Sequence, residues 1–107
     1  MNLRNVKILD CSGTVRATAR VTDRRGVFEG IIDLRETSPE LLALFVEFEE
    51  IVNGQMFSFL DEVQLRISAC VNRACFDDGG ELPIRDLQVF PNTGDISFRA
   101  AGVCAAV

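Results

Sequence analysis

The feature that most constrains this chain is an amphipathic stretch from Pro39 to Val71. Its apolar residues recur in steps of three and four, the spacing that keeps side chains on one face of an α-helix. They are Leu41, Phe45, Phe48, Val52, Met56, Phe59, Val63, Ile67 and Cys70. The stretch therefore predicts one buried helical stripe against which the rest of the chain packs.

Capping residues mark the start of the predicted helix. Ser38 as N-cap with Pro39 at the first helical position is one solution, and Thr37 with Glu40 in a capping box is the other. Asn53-Gly54 is typical of a helix that ends in the left-handed conformation, so we expect a break or kink there. The alternative is one unbroken helix of about thirty residues, roughly 45 Å long.

The clearest strand runs over residues 15–22, where apolar residues alternate with arginine and threonine, as in a sheet with one solvated face. The polar face could bind an anion or be neutralised by the next strand. A four-residue loop at residues 23–26 would set Arg20 opposite Glu29 and, further along, Arg16 opposite Asp33. Because such cross-strand pairs need no ligand, we interpret these arginines as structural.

Turn residues divide the remaining sequence into strands. A first strand over residues 3–9 ends at a turn cluster, and Asp77-Asp78-Gly79-Gly80 predicts a hairpin near the middle of the second half. Pro83 indicates an edge strand, or a proline outside the ladder. The apolar residues before Arg85-Asp86 fall at even positions and those after it at odd positions, which predicts a bulge or bend there. The loop over residues 91–94 would pair two sets of apolar residues: Val89 with Ile96, and Leu87 with Phe98.

These elements predict an α+β fold for residues 1–107 as a single domain. The order is β-β-β, then one long or kinked helix or two helices, then β-β-β. We expect an antiparallel sheet of five to six strands with the helical segment packed on one face. A chain of 107 residues with 48% hydrophobic residues is sufficient for one core.

The residue types argue against catalysis and against a metal or cofactor. The chain has no histidine, so triads and acid–base pairs built on imidazole are excluded. Its four cysteines lack the spacing of a zinc finger or ribbon, and we expect buried, reduced thiols rather than ligands or a disulfide. No phosphate-binding or dinucleotide-binding glycine motif is present. We therefore predict no catalytic, cofactor-binding or metal-binding residues, and a protein that is not an enzyme.

Charge and hydropathy bear on partners and location. A net charge of −5 disfavours nucleic acid and gives no attraction to an anionic membrane. The first ten residues lack the apolar run of a signal peptide, and no window is apolar enough to span a bilayer. We expect an acidic, cytoplasmic protein.

We predict a non-catalytic interaction module that self-associates as a homodimer through the helix or a sheet edge. The predicted interface consists of apolar residues outside the main stripe: Leu42, Val46, Phe57 and Leu65. One alternative is an inhibitor or immunity-type protein that masks a basic enzyme through the acidic helical residues Glu40, Glu47, Glu50 and Asp61. Another is a small-molecule-binding domain with a cavity between sheet and helix near Ala19 and Gly30.

Overall fold

Six β-strands and two α-helices are seen in a computed structural model that describes residues 3–101. The strands are β1 (Arg4–Leu9), β2 (Val15–Arg24), β3 (Val27–Asp33), β4 (Arg73–Phe76), β5 (Glu81–Phe90) and β6 (Asp95–Ala100). The helices are α1 (Pro39–Asn53) and α2 (Leu60–Cys70), with short 3-10 turns at Leu34–Glu36 and Phe57–Phe59. The predicted α+β order, β-β-β-α-α-β-β-β, is confirmed.

The strands form an antiparallel closed barrel in the order β1-β2-β3-β6-β5-β4. Closure comes from β1, which pairs with β2 on one side and with β4 on the other, where Val6 lies opposite Phe76 and Ile8 opposite Ala74. Every strand therefore has two neighbours. The predicted edge strand at Pro83 is wrong, because β5 lies between β4 and β6, and no free sheet edge among the six described strands is available for self-association.

The β2–β3 hairpin differs from the prediction by two residues. Its turn contains only Arg25 and Gly26, both with positive φ (57° and 87°), as in a type I′ turn. Arg20 consequently lies opposite Ile31, and Thr18 opposite Asp33. The predicted four-residue loop and its pairs are wrong: Arg20 does not face Glu29, and Arg16 does not face Asp33. A shift of two preserves the inner and outer faces of both strands.

Gly30 is required by the close approach of β3 to β2. It lies opposite Val21, and a Cβ placed on it would come within 1.8 Å of the backbone carbonyl oxygen of Arg20. No side chain fits there unless the two strands separate. The predicted cavity near Ala19 and Gly30 is thus replaced, at Gly30, by a close contact between the two strands.

The hairpins of the second half are mostly as predicted. Residues 77–80 form a turn between β4 and β5, and a four-residue loop over 91–94 sets Val89 opposite Ile96. The register shifts between Arg85 and Gln88, where Asp86 has a φ of 56°, so the predicted bulge is confirmed. Leu87 falls inside this irregularity and does not pair with Phe98 as expected, since the extra residue interrupts the ladder.

The helical segment begins and breaks where the sequence indicates. Ser38 is the N-cap and Pro39 opens α1; the capping box at Thr37 is not formed, because its hydroxyl donates to the Asp33 carbonyl instead. The break after Asn53 is confirmed and the unbroken helix is wrong. Gly54 has an ordinary φ of −85°, and Gln55 takes the left-handed conformation, with φ 57°.

One continuous hydrophobic core joins the barrel interior to both helices, which pack against β5 and each other. Phe45 and Phe48 are fully buried, as the stripe predicts. Phe59 and Met56 are 54% and 44% exposed, so the stripe is interrupted at the break, because the intervening 3-10 turn changes the direction of the side chains. No helix within residues 3–101 is long and apolar enough to cross a bilayer.

Candidate functional site

Three of the four predicted interface residues are exposed in the structure. Val46, Phe57 and Leu65 are 41%, 58% and 70% exposed, whereas Leu42 is half-buried. Glu47 contacts Arg66 of α2, and Val46 is the residue before it on α1. Leu42 lies about one helical turn before Val46.

Within residues 3–101, the exposed large apolar residues lie closest together in sequence at the turn between the helices. Met56, Phe57 and Phe59 are all at least 44% exposed within four consecutive residues. We call these three residues the helical junction. The Met56 side chain lies near the backbone of Gly54. A Cβ atom placed on Gly54 would be 3.2 Å from the Met56 methyl carbon.

The predicted acidic residues are distributed over both helices. Glu47 accepts a hydrogen bond from Arg66, which raises the pKa of the Arg66 guanidinium, so this carboxylate is already neutralised. Glu40, Glu50 and Asp61 are exposed and have no ion-pair partner within residues 3–101. Glu50 and Asp61 flank the helical junction in sequence. Glu40 lies about 15 Å from Glu50 along the axis of α1.

The most highly bonded carboxylate of the described chain is Asp10, which is 8% exposed. It accepts bonds from the Ser12 amide and hydroxyl (2.9 and 2.6 Å), the Thr14 amide (2.9 Å) and Arg16 Nε (2.8 Å). The Ser12 hydroxyl contributes most to lowering its pKa well below the ordinary value, followed by the Thr14 amide. With both oxygens occupied, Asp10 is a structural turn residue, and it neutralises the Arg16 that the sequence assigned to Asp33.

The cysteines do not form a site in the described part of the chain. Cys11 is exposed, contrary to the expected burial, while Cys70 and Cys75 are half-buried, and none of the three is in a disulfide. Cys104 lies outside the described residues. Within residues 3–101 no three thiol or carboxylate groups converge as metal ligands.

A groove of about 870 Å³ lies on the outer wall of the barrel, across β1, β2 and β3. We call it the barrel-wall groove. Its floor carries the outward side chains of Asn5, Lys7, Thr18, Arg20 and Ile31. The β5–β6 turn (residues 91–94) and the 3-10 turn after β3 rise beside this floor. The β5–β6 turn is fixed there by a 2.9 Å hydrogen bond from the Ile32 amide to the Gly94 carbonyl.

Two cations in this groove have no ion pair with any of the described residues. Lys7 and Arg20 have no carboxylate within salt-bridge distance among residues 3–101, although Asp33 and Asp77 also line the groove. Asp33 is engaged by Arg35, both through a 3.6 Å ion pair and through the Arg35 amide. Asp77 accepts a 2.9 Å bond from the Asn5 amide group.

Sequence reasoning considered the polar face of β2 as an anion site and rejected it on the predicted register. The register found here removes that objection for Arg20, which faces Ile31. The alternation of arginine and threonine is therefore the sequence signal that leads to this groove. The contributions of Lys7 and the β5–β6 turn could not be found from sequence, because they depend on pairings between distant strands.

Comparison of the chain with protein-family models, with curated proteins and with solved structures finds no match. The candidate sites therefore rest on this chain's own geometry.

Proposed function

We propose that this protein is a non-catalytic interaction module that self-associates through the helical junction. The observation that carries the proposal is the exposure of Met56, Phe57 and Phe59 in one short turn. Methionine and phenylalanine are enriched in the cores of protein interfaces. The other phenylalanine side chains are mostly buried, so the exposed phenylalanines of the junction are exceptions in this chain.

A second copy of the chain suits this surface. In a two-fold dimer the same patch meets itself, so apolar side chains contact apolar side chains. Glu50 and Asp61 flank the junction in sequence and carry like charge, so we expect them to repel across such an interface. Self-association should consequently strengthen as salt screens these carboxylates.

Light scattering after size exclusion, at about 50 and about 500 mM NaCl, tests the proposal. We expect a dimer whose dissociation constant falls at the higher salt. The double variant Phe57→Ser/Phe59→Ser should weaken association at least about ten-fold, because it removes the aromatic anchors. Val15→Ser is the matched control, since Val15 is 45% exposed on β2. A wild-type monomer at both salt concentrations, or equal effects of the two variants, would contradict the proposal.

A second candidate is binding of a basic protein through Glu40, Glu50 and Asp61, alone or with Glu47. It is favoured by the exposure of the first three without ion pairs in the described residues. Salt distinguishes the two candidates, since it weakens attraction between opposite charges. Replacing the three unpaired carboxylates with the corresponding amides should abolish binding to a basic partner and should strengthen self-association.

A further inference from the structure

We propose that the barrel-wall groove binds a small organic monoanion, with the anionic group between Lys7 and Arg20 and an apolar body on Ile31. This site is separate from the helical junction and requires no second copy of the chain.

Strand register brings the two cations together. Lys7 lies opposite Thr18, and Asn5 lies opposite Arg20, across the β1–β2 pair. Lys7 and Arg20 are therefore diagonal neighbours on the outer face, a relation that places Cβ atoms about 7–8 Å apart or less. Side chains of this length can both reach one carboxylate-sized group between them. Thr18 and Asn5 line the same groove and carry uncharged hydrogen-bonding groups, of which the Asn5 amide also donates to Asp77.

The apolar part of the site is Ile31. It is 57% exposed and lies directly opposite Arg20 across the β2–β3 pair. Its Cγ2 atom would lie 3.9 Å from a Cβ placed on Gly94, so the β5–β6 turn stands next to it as a wall. Pro91 of the same turn also lines the groove. A ligand body covering Ile31 would remove this isoleucine from water.

The charges of the groove select a single negative charge on the ligand. Three cations (Lys7, Arg20 and Arg35) and two carboxylates (Asp33 and Asp77) line it. Arg35 and Asp33 offset each other, which leaves two cations against one carboxylate. A monoanion neutralises this surplus of one positive charge, whereas a dianion would leave the groove with a net negative charge. The volume of about 870 Å³ is within the range of small-molecule sites.

Nuclear magnetic resonance titration of the ¹⁵N-labelled full chain with octanoate tests the proposal. Octanoate combines one carboxylate with an apolar body. Octanamide has the same body without the charge, and acetate has the charge without the body. We expect saturable shifts of the Thr18, Arg20 and Ile31 amide signals with octanoate, and binding at least about ten-fold weaker for the other two, because each lacks one of the two contacts.

Substitutions locate the site. Arg20→Gln should weaken octanoate binding about ten-fold, the loss expected for one charge-assisted hydrogen bond. Arg24→Gln is the matched control, since Arg24 is exposed on the same face of β2 and does not line the groove. Thermal unfolding of both variants checks that the fold is retained, and Ile31→Ser supplies a second test through the apolar contact.

Three outcomes would overturn the proposal. They are the absence of saturable binding, equal binding of octanoate and octanamide, and equal effects of Arg20→Gln and Arg24→Gln. The Phe57→Ser/Phe59→Ser variant should retain octanoate binding. Failure of the groove proposal and failure of self-association are thus observed independently.

Discussion

At the scale of single residues, Asp10 determines how the chain passes from β1 to β2. Its carboxylate accepts four hydrogen bonds from three residues in the following loop and strand. An amide in its place could accept at only one of its two terminal atoms. The ionised carboxylate is therefore the state that the loop requires.

This carboxylate predicts a pH dependence of stability. Its folded pKa lies below the ordinary value of 3.8, so its contribution is complete above that value and is lost as the pH falls below it. We expect Asp10→Asn to lower the free energy of unfolding near neutral pH, with the difference from wild type shrinking toward acid pH. Urea unfolding at a series of pH values measures this.

Ser12→Ala is the matched variant for this measurement. It removes the hydroxyl that lowers the Asp10 pKa most and leaves the carboxylate in place. The pH dependence of its free energy of unfolding should lie between those of the wild type and Asp10→Asn. An Asp10→Asn variant with the wild-type dependence would show that Asp10 is not the responsible group.

At the scale of elements, local sequence patterns predicted where the helices begin and end better than they predicted which residues pair between strands. The start of α1 at Pro39 and the break after Asn53 follow from capping residues and periodicity, which involve only neighbouring positions. The register found for β2 and β3 differs from the predicted register by two residues, because Arg25 adopts a left-handed φ of 57°. The predicted four-residue loop over residues 23–26 did not allow for this conformation at an arginine.

The same conformational question recurs at the end of α1. Gln55 has a φ of 57° at the position after the C-cap, where glycine is strongly preferred. Gln55→Gly should therefore stabilise the protein by about 0.5–1 kcal/mol, the relieved strain exceeding the added chain entropy of the unfolded state. Urea unfolding tests this, with Gln55→Ala as the control, since alanine shares the strain. Equal stabilities of the two variants would contradict the explanation.

At the scale of the whole molecule, closure of the barrel was not predictable from sequence. The β1–β4 pairing joins Val6 to Phe76, and no local pattern marks such a distant partner. The candidate groove was missed for the same reason, since it combines three strands with a turn from the far end of the chain. The presence of five to six strands, and their arrangement along the chain before and after the helical segment, followed from turn residues and alternation alone.

Closure also predicts that β1 is among the most protected strands, although strands near a chain terminus commonly fray. Because β1 pairs on both sides, its backbone amides should exchange with solvent deuterium only through global unfolding. Hydrogen exchange followed by magnetic resonance measures this, with the amides of β6 as the reference. Exchange of β1 at least about 100-fold faster than β6 would show that the β1–β4 pairing opens separately.

The β5–β6 turn links the two halves of this architecture. Its Asn92 amide donates to the buried carboxylate of Glu49 on α1 at 3.2 Å, while its Gly94 carbonyl holds β3 beside the groove. We therefore expect a molecule that binds in the groove and shifts this turn to shift α1 as well. If that molecule changes the affinity of α1 for a partner by some factor, thermodynamic reciprocity requires that the partner changes the affinity of the groove for the molecule by the same factor.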